Sequence, residues 1–205
     1  MKPNTIVLTK VITIIALLLA GTAIAAPPEP LEAIKGPIDT VITILNDPVY
    51  KDENLKSDQR EKIWQSVSDI FDFDEISMRA VARNWKKFTP EEQKEFSVVF
   101  SKFLGNTYVD KIQGEFHNEE IVYVSQEIVK EDRALAKTLI KRETIEIPVD
   151  YRLKLMDGQW RVYDVAVEGI SLVKNYRTQF SQLLKKESPA ELIQRLKKKL
   201  AEQES

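Results

Sequence analysis

The stretch from Ile145 to Phe180 constrains this chain more than any other. Residues 145, 147, 149, 151, 153 and 155 read Ile, Ile, Val, Tyr, Leu and Leu, with Glu146, Pro148, Asp150, Arg152 and Lys154 between them. Such alternation marks a strand with one apolar face, because successive side chains leave a strand on opposite sides. Asp157-Gly158 follows. Both residue types tolerate positive φ, which a two-residue type I′ turn demands. The turn predicts a register: Met156 opposite Gln159, Leu155 opposite Trp160, Leu153 opposite Val162, Tyr151 opposite Asp164 and Val149 opposite Ala166. In that register the apolar face is continuous across both strands apart from Asp164. An apolar surface with one embedded acid is either a core with a structural ion pair or the wall of an apolar ligand cavity.

The N-terminus indicates where the chain works. Lys2 and Lys10 precede an uncharged apolar run from Val11 to Ala20, and Ala23-Ile24-Ala25 supplies small residues at the positions a signal peptidase reads. This pattern predicts a secretory signal peptide cleaved after Ala25. The run is too short to span a membrane, and no cysteine follows it for a lipid anchor. Export is expected, to the periplasm in a Gram-negative source. The remaining ~180 residues suit one domain that buries roughly 70% of its unfolded surface. The chain has no cysteine, so disulfides, thiolate chemistry and cysteine metal sites are excluded. A formal charge of −2 argues against nucleic acid, which needs a basic face.

After a Pro-rich leader, Pro37 fits the first turn of a helix carrying Ile38, Val41, Ile42 and Leu45, which Asn46-Asp47-Pro48 ends. Ser57 is placed to cap a second helix with Ile63, Trp64, Val67, Ile70 and Phe71 on its apolar face. Asp72 or Asp74 can cap a short third helix holding Ile76, Met78, Val81 and Trp85. Thr89-Pro90-Glu91-Glu92 is a capping box with proline in the first turn. The long helix it opens carries Phe96, Val99, Phe100, Phe103, Leu104, Tyr108 and Ile112 as one stripe. That stripe either packs on a sheet as core or walls a cavity with it.

From Ile121 the period becomes two, and Ala134 to Ile140 gives a second strand before the hairpin. Val165 to Gly169 leads out of the sheet. Ser171 starts another helix, and Ser188-Pro189-Ala190-Glu191 repeats the capping box before a last one. The expectation is an α+β domain: a four-stranded antiparallel curved sheet packed by helices into a cone around an apolar cavity. Its divisions are a signal peptide (1–25), a flexible leader (26–36), the main domain (37–187) and a C-terminal amphipathic helix of the same domain (188–205).

Little in the chain suggests catalysis. Asp164 must find a partner if buried, since an isolated buried carboxylate costs several kcal/mol. Arg142 and Arg177 are the candidates. Alternatively, Tyr151 and Asp164 in an apolar cone are the residue types that stabilise an enolate in an isomerase-like enzyme, although no inward second carboxylate is evident to act as base. His117 falls in a turn and reads as a surface residue. Asp69, Asp72, Asp74 and Glu75 lack the spacing of a calcium loop. No catalytic residue, metal ligand or cofactor is expected. Arg195 with Lys197, Lys198 and Lys199 makes a basic helix end, which is a solvated face or a contact for an acidic partner or anionic membrane. A pure interaction module is therefore a third reading.

Several segments together resemble a known family. They are Phe71-Asp72-Phe73 with Met78 and Trp85; Phe88-Thr89-Pro90-Glu91-Glu92-Gln93 with Phe96, Phe100, Leu104 and Thr107-Tyr108; and Val149-Asp150-Tyr151-Arg152-Leu153 with Gly158-Gln159-Trp160-Arg161-Val162-Tyr163-Asp164-Val165, Glu168-Gly169-Ile170-Ser171-Leu172 and Asn175 to Phe180. Over about Pro37 to Leu200 the chain is similar to the toluene-tolerance family of periplasmic phospholipid-binding proteins. It departs at Ala82, where the family pattern has glycine, which suggests a more regular helix there. The resemblance implies a nuclear-transport-factor-like cone holding phospholipid acyl chains, with the headgroup at the mouth. It implies a carrier, not an enzyme, with phospholipid or a hopanoid-type lipid as cargo. Its partners would be an outer-membrane lipoprotein–porin complex and an inner-membrane ABC lipid transporter. The expected lipid-binding wall is Val149, Tyr151, Leu153, Trp160 and Val162 of the hairpin with Phe96, Phe100 and Leu104 of the long helix, and Ile170 at the mouth.

Overall fold

A computed structural model describes residues 29–142 and 144–203; the expected signal peptide lies outside them. Helix α1 spans Pro30–Asn46 and is followed by two 3-10 turns, Pro48–Lys51 and Glu53–Leu55. Helices α2 (Lys56–Ser68) and α3 (Phe73–Val81), a 3-10 turn (Ala82–Lys87) and the long helix α4 (Pro90–Glu115) complete the first half. Strands β1 (Glu120–Lys130), β2 (Arg133–Arg142), β3 (Ile145–Met156), β4 (Gln159–Val167) and β5 (Ile170–Ser171) come next, then α5 (Leu172–Leu183) and α6 (Pro189–Gln203). The strands form one antiparallel sheet in sequential order, curved and unclosed. The α+β order expected from the sequence is the one observed.

The sheet has five strands among the described residues, not four. Glu168 (φ 50°) and Gly169 (φ 78°) make a second tight turn, which pairs Val167 with Ile170 and Ala166 with Ser171. Acid–glycine here carries the same signal as Asp157-Gly158, whose φ values are 49° and 77°. A two-residue strand is too short for alternation to reveal it.

The predicted hairpin register holds from Met156–Gln159 to Leu153–Val162 and then slips. A bulge at Tyr163 sets Arg152 opposite Asp164, Tyr151 opposite Val165, Asp150 opposite Ala166 and Val149 opposite Val167. One inserted residue reverses which side chains of β4 face inward. Val165 therefore joins Tyr151, Leu153, Trp160 and Val162 on the inner face. Asp164 turns to the outer face beside Arg152. The expected Tyr151–Asp164 and Val149–Ala166 pairs do not form, and the apolar face carries no embedded acid.

Helix α1 covers that inner face. It begins at Pro30, seven residues before the expected start, and Pro37 lies inside it. A proline there costs a helix hydrogen bond. Burial offsets the loss: Leu31, Ile34 and Ile38, at helical spacing, lie on the sheet cluster, with Ile34 1% exposed. Ala134 and Ala136 in β2 are small enough to admit the helix. The Leu31 amide, unpaired within the helix, donates to Gln126 Oε1 at 2.7 Å. A second core joins α3, α4, α5 and α6 through Phe96, Phe100, Leu104, Tyr176, Phe180 and Leu192. Val41, Ile63 and Val109 form a third cluster that joins α1, α2 and α4.

Most caps lie where the sequence places them. Thr89 and Glu92 form the reciprocal box, Ser188 and Glu191 form another, and Asp72 and Ser171 cap α3 and α5. Ser57 is not a cap: α2 starts at Lys56, because Asp47 and Asp52 instead cap the two preceding 3-10 turns. Ile70 and Phe71 lie past the end of α2, and Trp85 lies in the 3-10 turn beyond α3.

Ala82 does not extend a regular helix. It ends α3 with φ 49° and ψ −122°, a region that essentially only glycine occupies without strain. The break is held from outside, since Arg177 Nε donates to the Arg79 carbonyl at 2.8 Å. Ala82→Gly should therefore raise unfolding stability by about 1 kcal/mol, read from chemical denaturation. An unchanged or lower midpoint would mean the backbone there carries no such strain.

Candidate functional site

The fold presents two apolar layers. In one, α1 lies on the inner sheet face. In the other, α3, α4, α5 and α6 share an aromatic core with ring centroids 5.1 Å apart for Phe100–Tyr176, 5.2 Å for Phe100–Phe180 and 5.4 Å for Phe96–Phe100. Phe71 packs against both. Its backbone is tied to the sheet edge, as Asp72 N donates to Val162 O at 2.9 Å and Val162 N to Ile70 O at 2.7 Å. Phe71 also stacks on Phe73 at 5.6 Å. With Phe73 and Met156 it lines a surface hollow of about 490 Å³. Phe71 thus marks a seam between the layers, with an opening to solvent beside it.

The expected wall residues fall into two sets. Val149, Leu153, Trp160 and Val162 are buried and Tyr151 half-buried on the sheet side. Phe96, Phe100 and Leu104 are buried in the helical layer, where α4 packs chiefly on α6 and α3. Apart from Val149, which joins neither, the two sets belong to separate clusters, with Phe71 packed against both. Ile170 sits at the free edge opposite Val167 and is 68% exposed. Two contributors were not singled out from the sequence. One is the sheet-facing stripe of α1, legible in the spacing of Leu31, Ile34 and Ile38. The other is the bridging position of Phe71, which no local pattern signals.

Asp164 is 6% exposed and fully partnered. Its carboxylate accepts from Arg152 Nη1 at 2.8 Å, Ser171 Oγ at 2.7 Å and Val173 N at 3.1 Å. The partner is neither of the arginines expected. Arg142 pairs with Glu119, and Arg177 is spent on the Arg79 carbonyl. The bulge explains the difference, since it brings Arg152 directly opposite. Asp164 thereby anchors the N-terminus of α5, where backbone amides and the helix dipole favour a negative charge. Tyr151 lies on the other face, its hydroxyl pushed up to about 12 by burial and hydrogen-bonded to Thr138. The two groups do not share a site, so the enolate-stabilising arrangement is not formed. His117 is exposed, with Nδ1 2.6 Å from the Glu115 carbonyl oxygen.

Fold and site together define an α+β domain whose sheet-side and helical cores are both touched by Phe71. The chain belongs to the MlaC family: the model of the MlaC protein family matches residues 35–198. It is similar to the toluene tolerance protein ttg2D of Pseudomonas putida, 25% identical over 166 residues that cover 78% of this chain and 75% of that protein. Its fold is that of a phospholipid-binding protein from Ralstonia solanacearum solved in complex with a phospholipid. That match has a TM-score of 0.75 and 22% identity, and covers 87% of this chain and 100% of that one.

Asp164→Asn should destabilise the protein by about 2 kcal/mol, since Arg152 and the start of α5 lose their anion. Urea denaturation measures this, and a change within error would remove Asp164 from its structural role. Acid should act through Glu75. Burial raises its pKa, but hydrogen bonds and charges from Arg79 and Lys154 outweigh this and hold it below the ordinary 4.5. A depressed folded pKa contributes stability that is present above the unfolded value and lost as pH falls through the folded one. Glu75→Gln should accordingly flatten the acid limb of the stability profile below about pH 4.5 and lower stability at neutral pH. An acid limb as steep as wild type would exclude Glu75 as a contributor.

Proposed function

We propose that this protein is a periplasmic lipid carrier that catalyses no reaction. It takes the acyl chains of a phospholipid, or of a hopanoid-type lipid, into an apolar pocket opened along the seam at Phe71. The observation that carries the reading is that seam: two apolar layers, one on a sheet and one on helices, bridged by one phenylalanine beside a surface hollow. Family membership supports it, as does the name of the Ralstonia solanacearum protein, which binds phospholipid on the same fold.

The physics of the cargo suits the arrangement. Acyl chains bind by burial, at roughly 0.8 kcal/mol per CH₂, and need apolar walls without directional polar contacts. Each wall is packed within its own cluster, the sheet side under α1 and the helical side among α3, α4, α5 and α6, because an unfilled apolar cavity would lose its contacts. Chains reaching Phe71 would replace side-chain contacts with lipid contacts. Val149, Tyr151, Leu153, Trp160 and Val162 would then line the sheet side, Phe96, Phe100 and Leu104 the helical side, and Ile170 the rim. The headgroup would stay at the mouth beside Ile170, at the end of β4 away from the hollow that Asp72, Asp74, Asp157, Gln159 and Arg161 border. The carrier would exchange its cargo between an outer-membrane lipoprotein–porin complex and an inner-membrane ABC lipid transporter.

Protein purified from a Gram-negative periplasm and extracted with organic solvent should yield stoichiometric phospholipid or hopanoid by mass spectrometry. A clean extract from well-folded protein would overturn the carrier reading. Ile170→Glu should lower co-purified lipid about tenfold, the effect of placing a charge at an apolar rim, with the melting temperature unchanged because Ile170 is exposed. Full lipid retention in that variant would remove Ile170 from the mouth.

A further inference from the structure

The outer face of the sheet carries a second site. A hollow of about 440 Å³ is lined by four cationic side chains, Arg79, Lys130, Arg133 and Arg152, with Tyr163 and the single carboxylate of Asp132. The four cations come from four different elements, α3, β1, β2 and β3, so only the tertiary fold gathers them. Tyr163, the bulge residue, sits among them. The guanidinium carbons of Arg79 and Arg133 lie 4.4 and 5.5 Å from its ring centroid.

The arginines are positioned by acids without being used up. Arg79 bonds Glu75 through Nε and Nη2, Arg133 bonds Asp132 through Nη1, and Arg152 bonds Asp164 through Nη1. That leaves Nη1 of Arg79, and Nε and Nη2 of both Arg133 and Arg152, to donate to a ligand. Lys130 forms no ion pair among the described residues. One positive charge remains when Asp132, Glu75 and Asp164 are set against the four cations, and Lys154, which shares Glu75, adds to it. Guanidinium forks held at fixed positions match the oxygens of a phosphate, which can accept from several of them at once. The hollow is far larger than one water's share of about 30 Å³, so it has room for a phosphate together with a glycerol-sized substituent.

We propose that this hollow binds an organophosphate group, a phospholipid headgroup or a soluble phosphomonoester, at a site distinct from the acyl seam. Arg133, Arg152 and Lys154 lie on the face of the sheet opposite Ala134, Leu153 and the rest of the inner cluster, as the alternation of β2 and β3 requires. The site therefore stands whether or not the seam holds lipid.

The test uses the full mature chain with glycerol 3-phosphate as soluble probe and phosphatidylglycerol vesicles as membrane probe. Binding of glycerol 3-phosphate, followed by NMR, should shift amides around Tyr163 and Arg133. Arg133→Gln should weaken it about tenfold, the effect of losing a charge-assisted hydrogen bond, and Lys130→Gln should weaken it in the same direction. Both residues lie outside the buried clusters, and an unchanged melting temperature shows the fold is retained. Vesicle binding that falls in the same variants assigns the phosphate to a lipid headgroup. Glycerol 3-phosphate binding without vesicle binding assigns it to a soluble organophosphate. Binding of neither probe, shifts remote from Tyr163, or affinity unchanged in both variants would overturn the site.

Discussion

Asp164 and the bulge beside it hold the sheet and the helices in their relative positions. The carboxylate is shared by Arg152 across the strand, Ser171 at the cap of α5 and the Val173 amide inside that helix. Strand pairing, a tight turn and a helix start are thus tied at one buried anion. Each partner satisfies a demand that burial would otherwise leave open. The acid loses water and gains three donors, the first turn of α5 gains an acceptor, and Arg152 gains a counter-ion. Without the extra residue at Tyr163, Asp164 would point into the apolar face, where no arginine reaches it.

The bulge has two consequences on opposite sides of the sheet. On the inner side it lets Val165 continue the surface of Leu153, Trp160 and Val162, so α1 meets an unbroken apolar layer. On the outer side it turns Tyr163 toward Arg79 and Arg133 and helps build the basic hollow. The helical layer has its own core of stacked and edge-on aromatic rings. Among the described residues, Phe71 is the hydrophobic side chain that packs against both clusters, while Asp164 and the Lys154–Glu75 ion pair tie the layers through polar contacts.

Elements whose cause is local were legible in the chain. The β3–β4 turn follows from Asp157-Gly158, and the starts of α4 and α6 follow from reciprocal caps, because in each case the deciding atoms lie within a few residues. The buried partner of Asp164 was expected, but its identity was not. Register beyond a bulge depends on what packs against each face, and Val162, Asp164 and Ala166 alternate as though no residue were inserted. The early start of α1 was hidden for a similar reason. Pro37 reads as a helix start, and only the sheet surface under Ile34 makes a proline inside the helix tolerable. Ala82 reads as a helix former, yet tertiary contacts around Arg177 hold it in a conformation suited to glycine.

The sequence by itself determined the α+β order, the tight turn after β3, most helix caps, and the apolar character of the hairpin and of α4. Periodicity and capping are short-range properties that the chain carries whatever it packs against. Only the tertiary structure decided which side of β4 faces inward, which arginine neutralises Asp164, which helix covers the sheet, and that Phe71 joins the two layers. Those outcomes turn on residues far apart in the chain competing for the same buried space and the same counter-charges. Such competition is resolved only when all the elements are in place.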